Sequence, residues 1–565
     1  MLLSNMELLA TAPGGVAKLR ELILTLAVQG KLVPQDPADE PAGVLLQKFR
    51  AEKDRLIAEG KSKRDKPVAE IAEEEKPFGL PQGWEWVRLA ALAEFENGDR
   101  GSNYPSRSNF VEHGVAFINA GHLVDERIDY SDMNYITPQN FALLRSGKVQ
   151  RDDILYCLRG SLGKFAQVTE NSPGAIASSL VIIRLSVAAV APYAMQYLKS
   201  PLAASLIKRF DNGTAQPNLG AGDLAKFVVP LPPEAEQSRI VTRVEELMRL
   251  CDALEAKGRL EAAQHAQLVS TLLGALTASA TPEELAANWQ RVAQHFDLLL
   301  DRPEAIDALE QTLLQLAVRG LLVPQDPTDE PASALLQKIR AEKDRLIATG
   351  QIKQGKPLPP LTDEEKPFEL PVGWEWVRVG DVVELLNGYA FKSEWFKPAG
   401  VRLLRNVNIS HGHVDWSVPV MLDAIAAKSY EQFALRAGDI VLSLDRPIIS
   451  TGLKYAVIRD SDLPCLLLQR VARLTACACL SSEFLQLWLK SDLFVGTIDP
   501  GRSNGVPHIS TKQVAGLAFA LPPLAEQSRI VTRVTALRRL CADLRQRLAE
   551  RQSVQARLAE ALLIH

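Results

Sequence analysis

Apolar positions along this chain follow two periods, a helical one and an alternating one. Val16, Leu19, Leu22, Ile23 and Leu26 recur at three- and four-residue steps and stop near Gly30, which predicts an amphipathic helix. Ile306, Leu309, Leu313 and Leu316, stopping near Gly320, predict another. The Pro-rich turn VPQDPADEPA follows the first, with Asp39 placed to cap the next helix and Pro41 in its first turn. That helix carries Leu45, Leu46, Phe49 and Leu56 on one side and ends at Gly60. The charged stretch KSKRDKPVAEIAEEEKP reads as an extended linker. Short β-type runs come next: VAFINAG, DILYCL, LVIIRL and FVVPL, and later VRLLRNVNI, DIVLSL, KYAVIR and RVARLTA. SPLAASLIKRF and SSEFLQLWLKSDLF are short helices between them.

A long helix follows each Leu-Pro-Pro triplet. Ile240, Val244, Leu247, Cys251 and Leu254 step by four and three, as do Ile530, Val534, Leu537, Cys541, Leu544 and Leu548. This is a coiled-coil seam, and the two copies are expected to pair, most simply antiparallel. A bundle helix inside one domain is the other reading. Each helix would run roughly 35–40 residues, about 55 Å. Pro233 and Pro523 stand at the helix starts, and Glu236 and Glu526 in the first turns suit the dipole.

These elements occur twice because the chain is written twice, at a constant offset of 290. Residues 26–58 return at 316–348 with 27 of 33 positions identical. EEKPFGLPQGWEWVR at 74–88 returns as EEKPFELPVGWEWVR, and LPPEAEQSRIVTRVEELMRLC at 231–251 returns as LPPLAEQSRIVTRVTALRRLC. Residues 89–230 and 379–520 share only scattered matches, such as Asp153-Ile154 and Asp439-Ile440. A repeated frame with divergent inserts reads as a duplicated two-domain unit with approximate two-fold symmetry.

Composition narrows the function. The chain has 565 residues, 47% hydrophobic and 23% charged, with 64 Lys+Arg against 68 Asp+Glu and a net charge of −4. That apolar fraction excludes a disordered chain. No run of ~18 apolar residues predicts a membrane span, and the start lacks a secretory pattern. The six cysteines, at 157, 251, 465, 477, 479 and 541, form no CxxC pair. A cytoplasmic protein without membrane contact is expected. Segments 84–230 and 374–520 carry 14 basic against 14 acidic residues and 15 against 14. That balance counts against a lone nucleic-acid binder.

Catalytic motifs are missing. The sequence has no GxxxxGK[ST], HExxH or GxSxG. Cys477 and Cys479 read as core, and His411 and His413 as turn residues. The Leu-Pro-Pro triplets lack the Asn and aromatic of an amino-methyltransferase motif, and neither insert carries a nuclease-like carboxylate/lysine cluster. A binding or scaffolding protein is expected rather than an enzyme. A coiled-coil scaffold or adhesion-type binding protein, and an enzyme with an unrecognised site, stay open at this point.

Two copies of LPP-x-AEQ-x-RIV, each opening a long helix after a divergent segment, resemble the specificity subunit of type I restriction-modification systems. The arm pattern LAVxGxLVPQDPxDEPAxxLLxKxRAEKxRL and GWEWV are similar to the type IB branch, and GYAFKS at 388–393 to the start of many target-recognition domains. The resemblance covers the whole chain. It implies an α/β (α+β) fold, with two mixed strand-rich target-recognition domains on a duplicated helical frame with a long antiparallel coiled coil. The expected boundaries are 1–83 for the first arm, 84–231 for the first recognition domain and 232–290 for the central helix. They are 291–373, 374–521 and 522–565 for the second copy. The resemblance further implies that each recognition domain reads one half of a bipartite, asymmetric site in double-stranded DNA. The frame would set the spacer and dock two methyltransferase and two restriction subunits. Catalysis, S-adenosylmethionine, ATP and Mg²⁺ would belong to those partners, with no cofactor on this chain.

Base readout needs Arg or Lys for guanine, Asn or Gln for adenine, and short polar groups on loops. In the first insert, NGDRGSNYPSRSN offers Arg100, Ser102, Asn103, Tyr104 and Arg107, either as DNA contacts or as a solvated turn. LRGSLGK offers Arg159, Ser161 and Lys164, with Gly160 and Gly163 for close approach to phosphate. NGTAQPNL offers Asn212, Thr214, Gln216 and Asn218, or is a structural turn. In the second insert the candidates are Tyr389, Lys392 and Ser393, with Phe391 and Trp395 read as core. Arg405, Asn406, Asn408 and Arg446 follow, and then Arg502, Ser503, Asn504 and His508. The last group holds the same place before Leu-Pro-Pro as NGTAQPNL does.

Overall fold

A computed structural model describes residues 12–59, 70–213, 216–279, 281–349, 358–449, 452–477, 480–498 and 508–564. The chain divides into two units, residues 1–260 with 552–565, and residues 261–551.

In the first unit the arm helices are α1 (Gly15–Val28) and α2 (Ala42–Ala58). The variable segment is bounded by β1 (Glu85–Arg88) and β10 (Val228–Leu231). These two strands pair antiparallel, Glu85 opposite Leu231 and Arg88 opposite Val228. The Leu89 N–H donates to Phe227 O at 2.9 Å just inside them. The ends of the variable segment are thus zipped together. What lies between can diverge without disturbing the frame.

Between the clamp strands lie two four-stranded sheets and a short hairpin, Leu123–Val124 with Arg127–Ile128. The first contains β2 (Ala93–Asn97), β6 (Ile154–Cys157), β7 (Phe165–Gln167) and β9 (Leu180–Leu185), in the order β2-β9-β6-β7 and all antiparallel. The second contains β3 (Phe110–Val111), β4 (Val115–Ile118), β5 (Tyr135–Ile136) and β8 (Gly174–Ile176), in the order β8-β4-β5-β3. Helices α3 (Ala191–Lys199) and α4 (Pro201–Phe210) cover the first sheet's other side; Tyr193 and Tyr197 donate to the carbonyls of Pro230 and Val228. Long helix α5 (Glu234–Ala278) starts in this unit.

The second unit repeats the plan. After α6 (Pro282–Gln294) come arm helices α7 (Pro303–Val318) and α8 (Ala332–Ala348). The clamp is β11 (Glu375–Arg378) with β21 (Ala518–Leu521). One sheet runs β12 (Val383–Asn387), β20 (Val471–Ala476), β17 (Ile440–Ser443), β18 (Tyr455–Val457) and β15 (His411–Gly412). The other runs β13 (Phe396–Lys397), β16 (Met421–Leu422), β14 (Val401–Leu404) and β19 (Cys465–Leu467). Helix α9 (Ser482–Lys490) covers the first of these sheets, and α10 (Leu524–Ile564) is the second long helix.

The identical blocks are explained by a buried polar node. Glu236 and Glu526 are each 1% exposed. The Trp84 Nε1–H donates to Glu236 at 2.9 Å and the Gln35 amide at 2.8 Å; Trp374 and Gln325 do the same to Glu526, both at 2.9 Å. Burial pushes both carboxyls upward against these bonds. These glutamates therefore lock the arm, the tryptophan turn and the helix start together, where the sequence suggested only a dipole effect. Gly30 and Gly320, at φ 67° and 73°, lie under the same tryptophans; an added Cβ would sit 2.9 and 2.8 Å from the rings.

Asp39 does not cap α2. The cap residue is Pro41, and the Ala42 N–H is bonded to Gly83 O. Asp39 instead takes a two-pronged bond from Arg239, and Asp329 takes one from Arg529. A partner 200 residues away outcompetes the local cap because it is a bidentate, charge-assisted pair.

The heptad seam is also shared differently from a plain two-helix coil. Ile240, Val244 and Cys251 are buried with arm helix α1 and the variable segment. In the second unit Ile530 and Val534 pack likewise. Cys541 and Leu548 instead join Val269, Leu273 and Leu276 of α5 and Leu309 and Leu313 of α7. Each long helix exceeds the predicted length, at 45 and 41 residues. Cys157, Cys251, Cys465 and Cys541 are buried free thiols and Cys477 is half-buried; Cys479 lies outside the described residues.

Arg88 and Arg378 cross-link the linker to the clamp. Each grips a glutamate, Glu75 or Glu365, with both terminal guanidinium nitrogens at 2.6–2.9 Å. Those bonds hold both carboxyls down at about 2. A carboxyl with a depressed folded pKa adds stability above its unfolded value, near 4.3, and loses it as pH falls toward 2. The melting midpoint is expected to fall across that window. It should fall less steeply in the Glu75→Gln/Glu365→Gln variant, which calorimetry between pH 5 and 2.5 checks.

Candidate nucleic-acid interface

Strand directions decide where the candidate loops go. In the first unit β2 and β6 both run antiparallel to β9, Asn97 opposite Val181 and Cys157 opposite Leu180. Their C-terminal ends therefore meet the start of β9 at one edge. Loops 98–109, 158–164 and 177–179 emerge there together. Residues 216–219 join them: the Gly160 N–H donates to Pro217 O at 3.0 Å, and the Leu219 N–H to Leu158 O at 2.9 Å.

The second unit has the same arrangement. Asn387 of β12 lies opposite Ala472, and Ser443 of β17 opposite Val471. Tyr389 bridges Leu468, and Asp445 bridges His508, the counterpart of the Arg159–Asn218 bridge. Close approach at this edge requires glycine. A Cβ on Gly98 would lie 2.7 Å from Ala177 O, and one on Gly388 2.1 Å from Leu468 O.

Within the first cluster, Arg100, Ser102, Arg107, Arg159, Ser161, Lys164, Asn212 and Gln216 are exposed. Gly160 and Gly163 hold φ of 79° and 82°. Asn103 donates to Leu143 O at 3.0 Å, and Tyr104 packs edge-on against Phe117 at 5.7 Å, so both hold the loop. Asn218 donates to Asn212 Oδ1 at 2.7 Å. Asp99, not singled out in the sequence, fastens the loop base by accepting the Gly101 and Arg145 N–H groups at 2.7 and 2.9 Å. The Arg145 N–H, first among these, holds its carboxyl below the usual range. Thr214 lies outside the described residues.

In the second cluster, Asp445 gathers three neighbours. His508 Nδ1 and an Arg470 nitrogen each lie 2.9 Å from its carboxylate, and the Asn406 amide lies 3.5 Å away. Arg446 is exposed, with φ 47°. Lys392 and Ser393 are exposed, Lys392 lying over the Trp395 ring at 5.8 Å. Phe391 is buried and Trp395 half-buried. Tyr389 belongs to an aromatic group with Phe391, Tyr430 and Phe433. Arg405 donates to Asn408 and to Val418 O. Asn408 is 2% exposed; its oxygen accepts from Arg405 and its amide donates to Asp415 O. That candidate is a structural cap, with no group left for a base. Arg502, Ser503 and Asn504 lie outside the described residues.

Sequence reading missed Gln469 and Arg470, both exposed at the shared edge, Arg470 at φ 69°. The signal was a polar pair breaking the apolar run LLLQRVARL. His411 lies in strand β15, with Nδ1 3.1 Å from Leu453 O, rather than in a turn. Among the described residues, no group of three or more His, Cys, Asp or Glu is placed to hold a metal.

Comparison with known proteins places the chain in a family. The family model for the type I restriction modification DNA specificity domain matches residues 81–265 and 371–551. The type I restriction enzyme EcoAI specificity subunit of Escherichia coli is 46% identical over 562 residues, covering 97% of this chain and 93% of that one. The EcoEI specificity subunit, also of Escherichia coli, is 33% identical over 572 residues with the same coverage. A solved chain from a study of the type I R-M system aligns over 86% of this chain and 98% of its own, at 19% identity and TM-score 0.47. That superposition is too loose to argue from, and the sequence matches carry the assignment. The chain belongs to the type I restriction-modification DNA specificity family.

Proposed function

We infer that this chain is the non-catalytic DNA-specificity subunit of a type I restriction-modification complex, its two recognition domains each reading one half of a bipartite, asymmetric site. The observation that carries this reading is the twofold gathering of polar loops at one sheet edge, each set on a clamp of the same register. One chain with two different readers needs no palindrome, which a true homodimer would require. The long helices fix the unread spacer. The repeated arm surfaces give two equivalent docking places, one for each of two methyltransferase subunits; two restriction subunits complete the assembly. S-adenosylmethionine, ATP and Mg²⁺ belong to those partners in this reading. No described helix is long and apolar enough to cross a membrane.

Balanced charge in both recognition segments fits a division of labour. Affinity for DNA comes largely from phosphate neutralisation, which 14 basic against 14 acidic residues supply poorly. The partners grip the duplex and this chain selects the bases. Gel shift with the purified chain should therefore show weak binding alone and specific binding with the methyltransferase subunit. Absence of specific binding by a folded, partnered complex removes the reading.

Arg470 is the sharpest single test among the loops. Arg470→Ala is expected to cost roughly 1–3 kcal/mol of binding and to relax preference at the second half-site alone. Anisotropy titrations on duplexes varied in one half at a time measure both effects.

A further inference from the structure

The two copies of the frame are so alike that each arm helix has two near-equivalent long helices to dock on. Leu19, Ala27 and Val28 of α1 have Leu309, Ala317 and Val318 of α7 at the matching places. Ile240, Val244 and Cys251 of α5 are repeated as Ile530, Val534 and Cys541 of α10. Apolar packing alone cannot tell one partner from the other.

Charge can, because the same contact is built with opposite polarity in the two copies. In the first unit Arg20 of α1 pairs with Asp252 at 2.6 Å and Glu255 at 3.1 Å on α5. In the second, Arg545 of α10 pairs with Asp307 at 2.5 Å and Glu310 at 2.9 Å on α7. At the offset of 290, Glu310 stands where Arg20 stands, and Arg545 where Glu255 stands. The inversion extends along the helices. Residues 245–257 hold four acidic and two basic residues, and residues 535–547 one acidic and four basic. The arm stretch 16–28 holds two basic and one acidic residue, and 306–318 two acidic and no basic.

We propose that this reversed ion pair is a docking key that seats each arm helix on its own long helix and rejects the other. The partner in question is this chain's second copy of the frame, in the same molecule or another. A swapped docking would set Arg20 against Arg545 and Glu310 against Glu255. Specificity arises from such repulsive mismatches as much as from the matched pairs. Exposed pairs are individually weak, but two matches lost and two clashes gained shift the ratio of correct to swapped docking by roughly tenfold. Duplicated chains are prone to exchange of identical elements between molecules, and the key opposes it.

The test uses full-length chains carrying two different tags and expressed together. In the variant Arg20→Glu/Asp252→Ala/Glu255→Arg, the first contact takes the polarity of the second while each copy keeps an ion pair. Recovery of one tag with the other is expected to rise several-fold over the unmodified chain. Adding Asp307→Ala, Glu310→Arg, Arg545→Glu, Arg538→Met and Lys490→Ser reverses the second contact too and clears the basic neighbours of position 310. That doubly reversed chain is expected to return to the starting level. If the equal-polarity variant is recovered poorly, the doubly reversed one must restore soluble yield. The proposal is overturned if equal polarity leaves exchange and yield unchanged, or if double reversal rescues neither.

Discussion

Exchanging residues 89–230 for the corresponding segment of another family member is expected to change the bases read at one half of the site and leave the other half as it was. The prediction rests on the clamp. Strands β1 and β10 fix both ends of the insert at one place on the frame; β1 lies outside the exchanged stretch, and β10 pairs with it in the same register as β21 with β11, so an incoming last strand meets the same partner. All the loops gathered at the first domain's edge lie within the exchanged stretch. The original site should lose roughly a thousandfold or more in affinity, the usual gap between specific and non-specific binding. Binding selection from a randomised duplex library, run on the partnered complex, reads the new half-site directly. A change in both halves would mean that the two domains do not read independently.

Replacing Glu236 by alanine is expected to destabilise the first unit by about 3 kcal/mol. The side chain is 1% exposed and is the acceptor for the Trp84 indole N–H and one Gln35 N–H. Truncation leaves the indole N–H buried without a partner. An unsatisfied buried donor costs about 1–3 kcal/mol, and the lost packing adds to that. Relief of the buried charge offsets part of the cost. Gln35 keeps its bond to Gly30 O at 3.0 Å, so it contributes less than Trp84. Glu526→Ala should do the same to the second unit, and the double variant should show both losses added, since the sites share no partner. Denaturant titration of the two single variants and the double one checks this. Equal stability of Glu236→Ala and the unmodified chain would remove the node from the account.

Local chemistry made much of the fold legible in the sequence. The arm helices, the strands and the prolines opening the long helices all follow from spacing and from residues within a few positions of each other. So did the loops, because polar runs between apolar strands have few other uses. What stayed hidden depends on partners far along the chain. Asp39 looked like a cap because its neighbours suit one, yet Arg239 claims it across 200 residues. Glu236 looked like a dipole ligand, and only the fold brings Trp84 and Gln35 to it. The same reason applies within the loops. Asn408 had the right chemistry for adenine but is consumed by Arg405 and Asp415. Arg470 looked like a strand residue until its left-handed backbone turned it to the edge beside Asp445.

The central claim is that one chain carries two independent readers at a set spacing. Mapping modified adenines across the genome of cells that express this chain with its methyltransferase partner tests it most directly. The account predicts one asymmetric motif in two unlike halves, separated by a spacer of constant length and arbitrary sequence. A contiguous or palindromic motif, or methylation without any motif, would contradict it.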